Sequence, residues 1–338
     1  MAIKLQQAIS NSIEADGRSY LYFGGTSYLG LATNAEFIDL YKAGMQRYGV
    51  NNGTSRSNNI QLALYEEAEA VAADRFGAEA ALIVSSGYLA AQLCVRALAD
   101  HHFIYAPGAH PALWLNDPVP SGQGFTLWLQ NLRGQNAKGM VLSNTLNNLQ
   151  PERYDFSALP GDGSQLLLAD DSHGIGLLDN GLGAYSRLKN STRRETLVVA
   201  SMAKALGIDA GVVLGTTGRI ASLKKHVMFN GASPPAAAAL FAFMKSADLY
   251  KNQWQKLQEN HRYLASALEG RSDWKFISEL PVFCSTDPGL QQKLAPHEIL
   301  ISSFPYPDSD GPALNRVVLN SGHTKDQLDE LIETINQL

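Results

Sequence analysis

Three short segments of this chain carry residues that could do chemistry together, and each follows an apolar run. In LLLADDSHGIG a strand-like stretch delivers Asp170, Asp171 and His173 into a glycine-bearing turn. A carboxylate facing a heteroaromatic nitrogen keeps that nitrogen protonated and electron-withdrawing. In VVASMAKALG the lysine, Lys204, is flanked by Met202, Ala203, Ala205 and Leu206 rather than by charges. A lysine among apolar neighbours tends toward a lowered pKa and can form an imine with an aldehyde. In ALIVSSGYLAA an apolar run meets Ser86 and Gly87 and then a helical pattern, so the first amides of a helix would face outward, where they bind phosphate.

Each segment also has a plainer reading. An isolated DDSH is more often a satisfied turn or helix cap. Asp and His are also metal ligands, but no partner cluster of His or Cys accompanies them. A lone lysine at a helix start commonly snorkels to solvent, and a lone Ser-Gly is commonly a tight turn. The chemical reading rests on all three occurring together, in this order.

The elements that must position these residues alternate. Apolar runs in AALIVSS, KGMVLS, SQLLLAD and TLVVAS read as buried strands, and LAAQLCVRALAD and the segment after Lys204 as helices. Such alternation predicts an α/β domain with a mostly parallel sheet, whose ligands sit beyond the carboxyl ends of the strands. Turn formers and small residues in FNGASPPAAAA place a hinge near Phe229–Ala239. Beyond it we expect a helix over Leu240–Leu268, strands in FISELPVFCS, ILISSFP and Asn315–Leu319, and a terminal amphipathic helix from Lys325. The division is therefore an arm at 1–40, a large domain at 41–230 and a small α+β domain at 231–338.

The 338 residues carry 27 basic and 32 acidic side chains with no long run of either sign, which argues against a nucleic-acid groove or a membrane surface. No stretch reaches the ~20 apolar residues that span a bilayer. MAIKLQQAISNSIEADG has a weak helical pattern and lacks the apolar core of a signal peptide. Cys94 and Cys284 sit in apolar surroundings and read as buried free thiols, in keeping with a reducing cytoplasm.

With these motifs in view, the sequence resembles the α-oxoamine synthase family of fold-type-I pyridoxal-phosphate enzymes, which contains 8-amino-7-oxononanoate synthase and 2-amino-3-ketobutyrate CoA ligase. LYFGGTSYLGL is similar to the family's YLGL motif, RYGVNNGTSR to its YGxGxGGSR stretch, and SSGYLAA to its SGFxAN phosphate turn. YAPGAHPALW falls on the segment whose histidine stacks over the cofactor. LLLADDSHGIG resembles DDAHGTG, SMAKALG the lysine motif, FNGASPP the FSTSxPP hinge, and NRVVLNSGHT the RxRxxxSAAHT segment.

The resemblance implies a large domain with a mostly parallel sheet between helices, a small C-terminal domain, and pyridoxal 5'-phosphate as cofactor. It implies that Lys204 forms the Schiff base and removes the α-proton of a bound amino acid. Asp170 would bind the pyridinium nitrogen, His173 the phenolic oxygen, and His110 would stack on the ring. Gly87 and Tyr88 through their amides, and Ser201 through its hydroxyl, would hold the phosphate. Arg316 would clamp the substrate carboxylate, a task suited to its planar fork. The implied reaction condenses a small amino acid with an acyl-CoA or acyl-carrier thioester, in a homodimer.

The match has gaps. Thr26 replaces the asparagine before YLGL, NNGTSR replaces GSGGSR, and Ile60, Gln61 and Tyr65 fill positions that follow it. SNTLNNLQP, Ser143–Pro151, lacks the family's glutamate and serine and puts Asn148 at the serine's place; Asn230 and Gly231 replace a hydroxyl pair in the hinge. These changes avoid Lys204, Asp170, His173 and His110, so the expectation is cofactor binding with an altered acyl donor. Two other readings stay open: an aminotransferase or amino-acid lyase using the same electron sink, and a family member that binds the cofactor or a protein partner without turnover.

Overall fold

The computed structural model describes residues 3–116, 124–134, 138–147, 149–305 and 310–338. It begins with a hairpin of β1 (Ser12–Ala15) and β2 (Arg18–Phe23). The weak helical pattern read over this segment yields to a strand. Asp16 and Gly17 both take positive φ, the geometry of a two-residue hairpin turn, and β1 alternates exposed and buried residues. After it come α1 (Ala35–Tyr48), α2 (Leu64–Phe76), β3 (Ala80–Val84), α3 (Gly87–Ala97), β4 (Phe103–Tyr105) and α4 (Phe125–Gly134). α1 runs through residue 40 without interruption.

Next come β5 (Met140–Asn144), β6 (Leu166–Asp170), α5 (Tyr185–Ser191), β7 (Glu195–Ser201), β8 (Gly211–Gly215), α6 (Thr217–Leu223) and α7 (Val227–Gly231). The helix expected immediately after Lys204 is instead a turn leading into β8. Strands β3, β8, β7, β6, β5 and β4 form one sheet in that order. β4 to β7 pair in parallel, while β8 runs antiparallel between β7 and β3. Alternate residues of its strands serve two cores: Leu82, Leu168 and Val199 pack on one face, and Ile83, Leu167 and Val198 on the other. A sheet buried on both faces needs continuous apolar runs, which is why these strands stood out in the sequence.

The remaining elements are α8 (Ala237–Lys245), α9 (Ala247–Ala267), β9 (Trp274–Lys275), β10 (Val282–Ser285), α10 (Leu290–Leu294), β11 (Ile299–Pro305), β12 (Ala313–Val318) and α11 (Lys325–Gln337). The single helix expected over Leu240–Leu268 is broken at Ser246, whose hydroxyl donates back to the carbonyl of Ala242 at 2.6 Å. Thr324 and Gln327 form a capping box that starts α11 as the amphipathic pattern from Lys325 predicts. The second sheet has the order β1-β2-β11-β12-β10-β9, so the N-terminal hairpin completes the C-terminal sheet. We propose that the chain is built of arm, large domain and small domain, with the arm's strands added to the small one; residues 40 and 230 themselves lie within α1 and α7. Both cysteines are buried and free.

Candidate active site

The register of the first sheet decides what meets at its carboxyl edge. Asn144 at the end of β5 pairs with Asp170 at the end of β6, and Ser201 at the end of β7 pairs with Gly211 at the start of β8. Val84, two residues before the N-cap of α3, also pairs with Gly211. β4 is parallel to β5, so five loops open on one side, and between them lies a cleft of about 290 Å³ lined by Gly87, Tyr88, His110, Asn144, Asp170, Ser172, His173, Ser201 and Lys204, among others. Seven of the eight residues singled out from the sequence line this one cleft. The eighth, Arg316 on β12, lines an adjoining cavity of about 30 Å³ that shares Leu146 and His173 with it.

Successive strand residues point to opposite sides, and this separates the two aspartates. Asp170 lines the cleft, and its Oδ1 accepts from the Ser172 amide at 2.9 Å. Asp171 is fully buried away from it, accepting from Thr145 Oγ1 at 2.5 Å and from the Ala184 amide at 2.8 Å; burial pushes its carboxyl up to about 6.

The nitrogen groups lie together. Lys204 Nζ is 2.9 Å from His173 Nε2, and His173 Nδ1 is 2.8 Å from the Tyr28 hydroxyl. Burial lowers the Lys204 amine from its ordinary range, with Asp170 opposing the shift. Burial drives His173 well below the ordinary imidazole range, and Lys204, Arg316 and His110 push the same way. His110 is lowered by burial too, opposed by Asp170. Its backbone amide donates to Asn144 Oδ1 at 3.0 Å, while Asn144 Nδ2 donates to the Gly108 carbonyl at 2.7 Å, so the loop after β4 is pinned to the end of β5.

The opposite end of the cleft suits a phosphate. Ser86 caps α3 by accepting from the Leu89 amide, and the Gly87 and Tyr88 amides belong to the turn that has no partner within the helix. A Cβ on Gly87 would come within 2.6 Å of Ser201 Cβ, so the absence of a side chain there lets the helix start lie against the end of β7. Ser201 Oγ accepts from the Ala203 amide at 3.3 Å, which leaves its proton free to donate. The Tyr88 side chain is 60% exposed at the rim. Amides and a hydroxyl at one end, with an amine, a carboxylate and two imidazoles beyond, fit the donors and acceptors of pyridoxal phosphate.

Sequence reasoning missed Tyr28, Asn144 and Thr145. Asn144 stands at a strand end and could have been found by position alone, as the Asp170–His173 turn was. Tyr28 lies 145 residues from His173, and no local spacing announces that contact. Asn148 lies outside the described residues.

A family profile described as aminotransferase class I and II matches residues 163–335. The 8-amino-7-oxononanoate synthase of Pseudomonas savastanoi pv. phaseolicola is 26% identical over 360 residues, covering 98% of this chain and 90% of that protein. A serine palmitoyltransferase from S. paucimobilis, solved with PLP and myriocin bound, superposes with a TM-score of 0.83 at 15% identity, covering 99% of this chain and 92% of that one. The 8-amino-7-oxononanoate synthase of Francisella tularensis gives 0.71 at 20% identity, covering 94% and 97%.

Proposed function

Since the chain belongs to the aminotransferase class I and II family and is a pyridoxal-phosphate-dependent transferase of fold type I, we propose that it joins a small amino acid to an acyl thioester. The observation that carries this reading is the pair of adjoining cavities with His173 in both walls. One holds the Lys204 amine and the Asp170 carboxylate, and the other holds the Arg316 guanidinium. The relatives' similarity over nearly the whole chain supports the acyl transfer.

Bound in the larger cleft, pyridoxal phosphate would supply an electron sink for a carbanion at the amino acid's α-carbon. Asp170 would keep a proton on the ring nitrogen. Gly87, Tyr88 and Ser201 would hold the phosphate, His110 would cover the ring face, and His173 would bond the phenolic oxygen. Arg316 would hold the substrate carboxylate. The adjoining cavity is small, which favours a short amino-acid side chain. Lys204, its amine made less basic by burial, would carry the cofactor and move the proton to and from the α-carbon. We propose that the active protein is a homodimer.

The test is product analysis with purified protein. Glycine, alanine and serine are each offered with acyl-CoAs of increasing chain length while free thiol is followed. Thiol release that requires the amino acid is expected; conversion of the cofactor to pyridoxamine phosphate without thiol release would sink the acyltransferase in favour of transamination.

A further inference from the structure

We propose that Glu279 is a positioning residue that sets amino-acid specificity: its carboxylate ties the loop 146–153 to the second sheet and so keeps the Arg316 cavity narrow. The inference rests on that cavity receiving the substrate amino acid, and it names what fixes the cavity's size. Leu146, Leu149 and Pro151 of the loop line the cavity from one segment, and Leu280, Val282 and Arg316 line it from the second sheet and the residues leading into it. The loop is closed on itself. Leu146 bridges to Arg153, the Asn147 amide donates to the Glu152 carbonyl at 2.9 Å, and the Tyr154 amide donates to the Thr145 carbonyl at 3.0 Å. Asn147 Nδ2 also donates to the Glu152 carboxylate at 2.9 Å. Whatever holds Arg153 therefore holds this side of the cavity.

Two carboxylates hold it. Both oxygens of Asp179 accept from Arg153 Nη2, and Asp179 also accepts from Arg187 Nε at 3.3 Å. Glu279, directly before Leu280, faces Arg153 Nη1 at 3.9 Å and accepts from the backbone amides of Asp179 and Asn180 at 3.2 Å each. Its own carbonyl accepts from Gln258 Nε2 of α9 at 3.3 Å, and Trp254 Nε1 of the same helix donates to the Leu177 carbonyl at 2.7 Å. Bonds to an ionised carboxylate are stronger and more directional than neutral ones. Asp179, Asn180 and Glu279 all take positive φ, of 53°, 60° and 65°. Asp and Asn tolerate that region, whereas glutamate enters it seldom and stays only where its surroundings hold it. The Glu279 side chain is thus the link between the segment that leads to Leu280 and the loop that carries Leu149.

Glu279→Gln keeps the chain length and one oxygen, removes the charge and leaves the cofactor cleft untouched. In the holoenzyme, hydrogen exchange read by mass spectrometry should quicken about tenfold over 146–153 and 177–182, with β5, β6 and β7 exchanging as in wild type. Amino-acid binding is read from the change in the bound cofactor's visible spectrum. The preference for glycine over leucine should shrink about fivefold as the loop yields to the longer side chain. A general loss of stability would instead quicken exchange in the strands and leave the preference as it was, and that result overturns the proposal. Unchanged exchange in the loop overturns it too. Failure of the underlying reading looks different: the wild-type spectrum would then respond to neither amino acid.

Discussion

Asp170 and Asp171 are neighbours with opposite surroundings, and that difference assigns them different work. Asp170 faces the cleft beside Ser172, so replacing it with Asn should remove the charge opposite the cofactor ring and lower kcat about a hundredfold, as loss of a preorganised electrostatic partner does elsewhere. Asp171 holds Thr145 and Ala184 together in the interior. Asp171→Asn should lower the kcat of folded protein far less than Asp170→Asn does, since it meets the cleft only through the Thr145 hydroxyl. Its signature is in stability against pH. The folded carboxyl is raised to about 6 from 3.8, so its favourable contribution is complete below pH 3.8 and is lost as pH rises through 6. Asn does not ionise. Wild type should therefore gain on Asp171→Asn by urea midpoint between pH 7.5 and pH 4.5, and a difference independent of pH would show that the carboxyl does not titrate in this range. In the sequence only the family resemblance set Asp170 apart from Asp171; the physical division comes from strand pleat and from Ala184, thirteen residues away.

The strands and turns explain how the cleft is held open at one edge. β3, β4, β5, β6 and β7 all end there, and antiparallel β8 begins there, so six strand ends meet at this edge. α3 and β7 approach closely at Gly87. Gly87→Ala would drive a methyl against Ser201 Cβ, Cα and N, all within 2.8 Å, and rotation of the serine side chain cannot relieve contacts with backbone atoms. Overpacking of this kind costs about 1–3 kcal/mol, and spread over the phosphate cradle it should weaken pyridoxal phosphate binding roughly tenfold or more. Spectral titration of the variant measures this directly, and wild-type affinity would mean the cradle is not where the phosphate sits. β3, β5, β6 and β7 were legible because each is an unbroken apolar run buried on both faces. β8 is as apolar, as GVVLG, but a helix was expected between strands, and the antiparallel insertion breaks that rhythm. β4 has only three residues, too few for any period to show. The Asp16-Gly17 turn signal was present in the sequence, yet the short β1 beside it carries only two buried residues.

For the molecule as a whole, the proposed homodimer has a physical argument in what one copy leaves uncovered. Val50, Ile60 and Val227 are 78%, 72% and 75% exposed, far more than large aliphatic side chains ordinarily are in a chain with this much core. They flank one region, because their near neighbours Asn52, Gln61, Phe229 and Asn230 line a common cavity of about 110 Å³ together with Arg56 and Lys224. Within that cavity Asn52 Oδ1, Thr54 Oγ1 and Arg56 Nε are buried without a hydrogen-bond partner among the described residues. Buried polar atoms left unpaired cost stability, and an apolar rim around them is the pattern of a surface that a second copy covers. The rim includes NNGTSR and the hinge, the segments where this chain departs from the family motifs it otherwise resembles. Light scattering should therefore give a molar mass near twice the 36.6 kDa of one chain. A double substitution, Ile60→Asp with Val227→Asp, places charge on the rim without touching the Lys204 cleft, and it should shift the mass toward a single chain as concentration falls. A wild-type mass of one chain at micromolar concentration, or a double variant that remains fully dimeric, would move the interface off this face.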